Sequence, residues 1–367
     1  MTSNGKKFYI VILILTSILM ILGLYMVYSA SFPISMKYHN STNYYFKKQA
    51  IFAIIGVVIM FLASRVDYKV YKNIAYPLLL ISGALILLTY FPFISKPVNG
   101  AHRWIALGPI SIQPSEIAKV FLIMFMAYLL EKKQDKLDNF SYGFLPFILI
   151  PGAIMILVLK QPDFGTFILM GMLIYIMMFV GGVRITYLIG AVAAVLPVVY
   201  LLITHSQYRL MRFLVFLDPW KYYSEKGYQV AQSLISFGAG GFIGKGIGCS
   251  QQKMYFLPEA YTDYIFSIFA EEMGFFGVFS VIMLFILFFI TGINMSMKVN
   301  DRFGKLLGIG LTSLITLQAF INFSVCMGLL PPKGITLPFF SYGGSSMLTV
   351  LFAIGVLLNI AKGIDNG

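Results

Sequence analysis

Asp263 lies in the run Phe256-Leu257-Pro258-Glu259-Ala260-Tyr261-Thr262-Asp263-Tyr264-Ile265-Phe266, where a long polar connection meets an apolar stretch. The chain has only 14 acidic residues. An acid at the edge of an apolar segment is either solvated in a cavity or engaged in proton chemistry there. The same position suits a helix N-cap, with Thr262 as competitor. Glu271, eight residues on, falls on roughly the same helical face, and Glu272 lies one position round. Both read equally as buried structural partners and as functional acids.

Two further polar groups interrupt apolar sequence. In Gln113-Pro114-Ser115-Glu116-Ile117-Ala118-Lys119, Pro114 suits a first helical turn that Ser115 or Gln113 would cap. Glu116 and Lys119 are three apart and share a face, so they pair, either holding a bundle together or lining a polar cavity. In Lys160-Gln161-Pro162-Asp163-Phe164-Gly165-Thr166, Asp163 reads as a turn residue capping the next helix or as a cap that also faces a cavity. Connecting segments add Arg103 and Trp104, the latter also a natural interfacial anchor. They also add Lys333 and the run Ser341-Tyr342-Gly343-Gly344-Ser345-Ser346, whose small residues let helices approach closely.

The elements that carry these residues are set by hydropathy. The chain is 59% hydrophobic and 11% charged, against about 25% charged in a soluble domain, and its mean hydropathy is +0.85. Residues 8–36, 73–95, 139–159, 164–183 and 185–204 hold no charge. Only helices or closed barrels satisfy the backbone in lipid, and these runs are too long and unbroken for barrel strands. The expected fold is an all-α integral membrane protein with about ten transmembrane helices, over 8–30, 48–64, 74–94, 113–131, 143–160, 164–182, 185–204, 263–294, 306–328 and 342–362. The first apolar stretch follows Lys6 and Lys7 and is too long for a signal peptide core, so it reads as a retained anchor.

Residues 1–367 read as one membrane domain with a single large loop, 205–262. Lys and Arg are more frequent in the connections on the N-terminal side, which places both termini in the cytoplasm and the 205–262 loop outside. Within that loop, Val230, Leu234 and Phe237 are spaced like one helix face with Gln229, Gln232 and Ser233 on another, as in a helix lying along the interface. Six glycines in the eleven residues Gly238–Gly248 form either a flexible turn or a close ligand loop. The formal net charge of +13 is spread over loop ends without a basic helix or RNA motif. It implies contact with anionic membrane lipids and no nucleic-acid partner. Outward cations also suit a phosphorylated substrate. Cys249 and Cys326 fit neither a metal motif nor a disulfide framework.

These residues together resemble the SEDS family (shape, elongation, division and sporulation), with its FtsW and RodA branches. The resemblance rests on Tyr28-Ser-Ala-Ser31, Pro97-Val-Asn-Gly-Ala-His-Arg-Trp-Ile105, Gln113–Lys119, Gln161–Thr166, Leu257–Phe266, Glu271-Glu-Met-Gly274 and Leu337–Ser346, in that order along nearly the whole chain. Tyr261 and Tyr264 stand where His and Phe are usual, and Phe340 where Ile is usual. Pro331-Pro332-Lys333-Gly334-Ile335-Thr336-Leu337-Pro338 and Ser250-Gln251-Gln252-Lys253 are most similar to the division-type branch.

The resemblance implies a peptidoglycan glycosyltransferase that polymerises lipid II at the outer face of the cytoplasmic membrane, for septal synthesis. Asp263 is then the catalytic base. Glu116, Lys119, Asp163, Trp104, Arg103, Lys333 and Ser345 are then substrate-binding residues. A hydroxyl attacking an anomeric carbon needs a base, and a departing pyrophosphate needs neutralising charge from positioned cations or a divalent ion, Mg or Mn. Arg103, Arg212, Lys245 and Lys333 are the candidate cations. The resemblance also implies a class B penicillin-binding transpeptidase and other divisome membrane proteins as partners. An elongation-type polymerase, a lipid II flippase and a recruiting scaffold are the rival readings. The absence of a visible internal repeat counts against transport.

Overall fold

In a computed structural model, residues 3–91, 93–98, 101–107, 110–224 and 227–364 are described. Asn99 and Gly100 of the 97–105 motif, and residues 225 and 226 of the long loop, lie outside them. Each of the ten apolar stretches coincides with a helix: α1 (Ser3–His39), α2 (Tyr44–Ala63), α4 (Ala75–Leu88), α5 (Pro114–Lys132), α6 (Leu145–Lys160), α7 (Phe164–Val180), α8 (Ile185–Thr204), α11 (Ile265–Met297), α12 (Arg302–Cys326) and α13 (Gly344–Gly363). A short helix, α3 (Lys69–Asn73), precedes α4, while α9 (Gln207–Leu217) and α10 (Tyr228–Gly240) lie between α8 and α11.

Among the described residues, seven helices are long and apolar enough to cross a membrane, while α4 and α7 are apolar but shorter. The protein is a multi-pass membrane protein. α12 forms the centre, buried along nearly its whole length between α5, α11, α7 and α13. α13 packs on α2, and α1 on α11. α8 is almost wholly exposed, the state of a helix at the edge of a bundle facing lipid.

Three features depart from expectation. Three strands form a small antiparallel sheet, β1 (Ser95–Val98), β2 (Ala101–Leu107) and β3 (Ile110–Ile112), in the order β1-β2-β3, with Lys96 opposite Trp104 and Ala106 opposite Ser111. Pro114 opens α5 as expected, but neither neighbour caps it: the Gln113 side-chain amide donates instead to Ser115 Oγ, 3.1 Å away. α10 packs on the protein through its polar side. Its Gln232 and Ser233 are buried against the protein, because Gln232 donates to the Tyr223 hydroxyl at 2.8 Å and the Ser233 hydroxyl sits 2.6 Å from that of Ser267 on α11 and from the Cys326 carbonyl on α12.

The chain ends meet at one end of the bundle. Lys362 on α13 donates to the Ser64 carbonyl at the end of α2, 2.9 Å away, and lies over the Tyr9 ring of α1, while Lys298 after α11 lies over Phe8. The connection preceding Asp263 lies at the opposite end, where the Tyr255 hydroxyl donates to the Pro33 carbonyl near the end of α1.

Candidate active site

Asp263 is placed by a loop stitched to the helix it precedes. The amides of Lys245 and Gly246 donate to the carbonyls of Glu271 and Glu272 at 3.0 and 3.1 Å, and those of Phe275 and Phe276 donate back to Gly241 and Phe242 at 2.8 and 3.2 Å. This crossing breaks α11 at Gly274, which sits at φ 63°. A Cβ there would stand 2.3 Å from the Gly244 nitrogen, so both the dihedral and the contact require glycine. The glycine-rich run is thus a structural crossing.

The two adjacent acids of α11 complete the stitching. Glu271 accepts from Lys245 Nζ at 2.7 Å, from the amides of Gln251 and Gln252, and from the Ser250 hydroxyl. Glu272 accepts from Lys253 Nζ at 2.7 Å and from the Ser29 hydroxyl at 2.6 Å. Both act as structural partners, and Lys245, tied to Glu271, leaves the set of candidate cations. The expected shared face of Asp263 and Glu271 is also corrected. α11 begins at Ile265, so Asp263 precedes the helix; Tyr264 occupies the N-cap position without a side-chain bond, and Thr262 donates to Glu259 at 2.7 Å.

The Asp263 main chain is held from α12. The Asn322 amide donates to the carbonyls of both Asp263 and Ile335, each at 2.8 Å. One turn earlier, Gln318 donates to the Thr336 carbonyl at 2.9 Å and accepts from Lys119 Nζ at 2.8 Å, and Lys119 pairs with Glu116 at 2.8 Å. Glu116 and Lys119 are 6% and 2% exposed. This buried pair therefore anchors the 333–336 segment from within the bundle. Asn322 and Gln318 were legible as polar residues four apart in an apolar stretch, which are costly in lipid and mark function, yet the sequence reading passed over them.

The 333–336 segment and the turn before α7 close round the acid. A Cβ at Gly334 would come within 3.0 Å of Asp263 Oδ2. The Lys333 ammonium lies 5.6 Å from the centre of the Phe164 ring, and the Arg209 guanidinium of α9 lies 5.2 Å from it. Arg212, also on α9, donates to the Pro332 carbonyl at 3.2 Å, and Arg103 on β2 donates to the carbonyls of Gln161 and Pro162 at 3.0 and 2.6 Å. Asp163 is the N-cap of α7, accepting from the Thr166 amide at 3.1 Å. It also adds negative field at Asp263.

Among the described residues, none of Asp263, Arg103, Arg212 and Lys333 belongs to an ion pair. Desolvation, reinforced by Glu259 and Asp163, pushes the Asp263 carboxyl up to about 7 against the opposing pull of Arg212 and Arg103. Burial, then Arg212, brings the Lys333 ammonium down to about 8.

The structure thus gathers Asp263, Asp163, Arg103, Arg212 and Lys333, with Glu116 and Lys119 as support behind them. Ser345 lies at the margin, accepting from the Gln113 amide at 3.0 Å and donating to the Ser111 carbonyl at 3.3 Å. Trp104 is a partly buried strand residue of β2. No group of three His, Cys, Asp or Glu side chains suited to a metal ion is formed among the described residues.

Comparison with known proteins decides the family. The FtsW/RodA/SpoVE model, described as "Cell cycle protein", matches residues 9–365. The chain belongs to this family. It is 42% identical over 356 residues to a protein of Geobacter metallireducens named "Probable peptidoglycan glycosyltransferase FtsW", covering 97% of this chain and 95% of the relative. It is 38% identical to Bacillus subtilis "Stage V sporulation protein E", covering 99% of each. Among solved structures, a chain reported under "Structural coordination of polymerization and crosslinking by a peptidoglycan synthase complex" superposes with a TM-score of 0.80 at 25% identity, covering 97% of this chain and 98% of that one. Thermus thermophilus RodA shares the fold, with a TM-score of 0.70 at 24% identity, covering 96% of this chain and 95% of that one.

Proposed function

We propose that the protein is a division-type peptidoglycan glycosyltransferase of the inner membrane that polymerises lipid II on the outer face, with both termini in the cytoplasm. The observation that carries the mechanism is the Asp263 carboxyl, in no ion pair among the described residues, lying in the field of Arg212 and Arg103 and against the segment that carries Lys333, at the end of the bundle remote from Tyr9 and Lys362. In this reading the 4-hydroxyl oxygen of one lipid-linked disaccharide attacks the anomeric carbon of another. Asp263 takes the hydroxyl proton as the new glycosidic bond forms. The bond from that carbon to the pyrophosphate breaks, and its electron pair leaves with the pyrophosphate. The three cations neutralise this growing charge in a site of reduced water access. Glu116 and Lys119 act by fixing the 333–336 segment.

A class B penicillin-binding transpeptidase is the proposed partner, supported by the peptidoglycan synthase complex among the solved relatives. The decisive test uses purified full-length protein in liposomes with lipid II, alone and with that partner. Glycan polymer is expected. Lipid II crossing the bilayer with no polymer formed in either condition would replace the reading with transport.

Positioning makes a separate prediction. In Gly334→Ala the new methyl meets the Asp263 carboxylate and displaces it by a few tenths of an ångström. Polymerisation kcat is expected to fall about tenfold, with KM little changed, because displacement of a reacting group costs rate steeply. Initial rates across lipid II concentrations check this.

A further inference from the structure

Tyr45, Tyr261 and Tyr342 come from three separate segments, the start of α2, the connection before α11 and the turn before α13, and their rings meet in a closed triangle. Ring centres are 4.9 Å apart for Tyr45–Tyr261, 5.1 Å for Tyr45–Tyr342 and 5.8 Å for Tyr261–Tyr342. The triangle continues outward, where His39 packs edge-on to Tyr45 at 5.6 Å and stacks on Tyr44 at 3.5 Å. All five rings are partly exposed except His39, which is exposed. An aromatic strip thus leads away from the segment that carries Asp263.

The inner end of the strip is rigidly joined to the acid. The Tyr342 amide donates to the Tyr261 carbonyl at 2.9 Å, and the Ser341 hydroxyl donates to the Thr262 carbonyl at 2.6 Å, immediately before Asp263. From α2, Gln49 donates to the Ser341 carbonyl at 3.2 Å and accepts from the Gly343 amide at 3.1 Å. Membrane-interface tyrosines act singly as anchors on helix surfaces. Tyr261 and Tyr342 instead sit in loops, pack on one another and share their backbone hydrogen bonds with the catalytic segment.

We propose that this strip is a saccharide-binding platform that holds the growing glycan beside Asp263. The proposal rests on the glycosyltransferase reading above and goes beyond it by assigning the polymer its track. A pyranose ring presents a face of C–H bonds whose positive edge complements the negative face of an aromatic ring. Its hydroxyls meet the wet ends of tyrosines. A row of rings, as opposed to one, suits a ligand that is itself a row of sugars.

The test has two readouts on the full-length protein in detergent: the length distribution of polymer made from lipid II, and saturation-transfer NMR of soluble N-acetylglucosamine tetramer. Tyr45→Ala is expected to shorten the mean product at least threefold and to remove the tetramer signal, whereas Tyr45→Phe, which keeps the ring, retains both. Tyr38→Ala, at a 67% exposed position of the same end, is expected to behave as wild type. Should Tyr45→Ala fail to fold, Tyr261→Leu carries the same expectations. Product of wild-type length from the ring-deleted variant, failure of Tyr45→Phe alongside it, or no tetramer signal from wild type would each overturn the platform. If wild type makes no polymer, the glycosyltransferase reading fails, and the tetramer signal still tests the platform independently.

Discussion

Asp263→Asn is expected to abolish polymer formation from lipid II, a loss of about 100- to 10,000-fold in kcat, while the protein still folds and inserts. The acid makes no ion pair among the described residues whose removal would unbalance the fold. Its backbone carbonyl, and not its carboxylate, receives the bond from Asn322. Polymer assays on purified variant with a matched thermal melt check this, and polymerisation at wild-type rate would remove Asp263 from the mechanism. The wild-type pH profile makes the same point. A base must be ionised, so activity is expected to rise as pH passes about 7, the value to which burial pushes the Asp263 carboxyl.

Removing positive charge opposite that acid is expected to be nearly as damaging. Arg212→Ala and Lys333→Ala should each lower kcat by about 100-fold, the scale for losing one preorganised group that meets developing charge. Lys333 adds a signature that a structural role would not produce. Its ammonium must be protonated to neutralise pyrophosphate, and it titrates at about 8. Activity should therefore fall as pH passes about 8, giving a narrow bell with the Asp263 limb. Lys333→Arg keeps charge at every accessible pH, so it should retain partial activity and lose the alkaline limb. An unchanged alkaline limb in that variant would remove Lys333 from the role.

Helix placement was largely legible because long uncharged runs such as 8–36 and 185–204 leave lipid few alternatives. The sheet formed by 95–98, 101–107 and 110–112 was not, because strands of four, seven and three residues are too short to show a clear alternation. For α10, amphipathic spacing did not show which side of the helix meets the protein. Gln232 and Ser233 face inward since Tyr223, Ser267 and the Cys326 carbonyl give them partners. For the acids, an eight-residue spacing means a shared face only within one helix, and α11 starts after Asp263. The fates of Glu271 and Glu272 depended on Lys245 and Lys253, near in space but 26 and 19 residues away in sequence. Motif residues close in sequence, such as Glu116 and Lys119, paired as their interval required.

The Asn322 amide reaches two carbonyls at once, Asp263 and Ile335. It works as a fixed caliper between the proposed proton acceptor and the arm that carries Lys333. The gap between them is therefore set in part by α12, whose centre is deep in the bundle, as well as by the loops on which the two groups sit. Shortening that one side chain on α12 would release both loops together, which a substitution in either loop alone would not do.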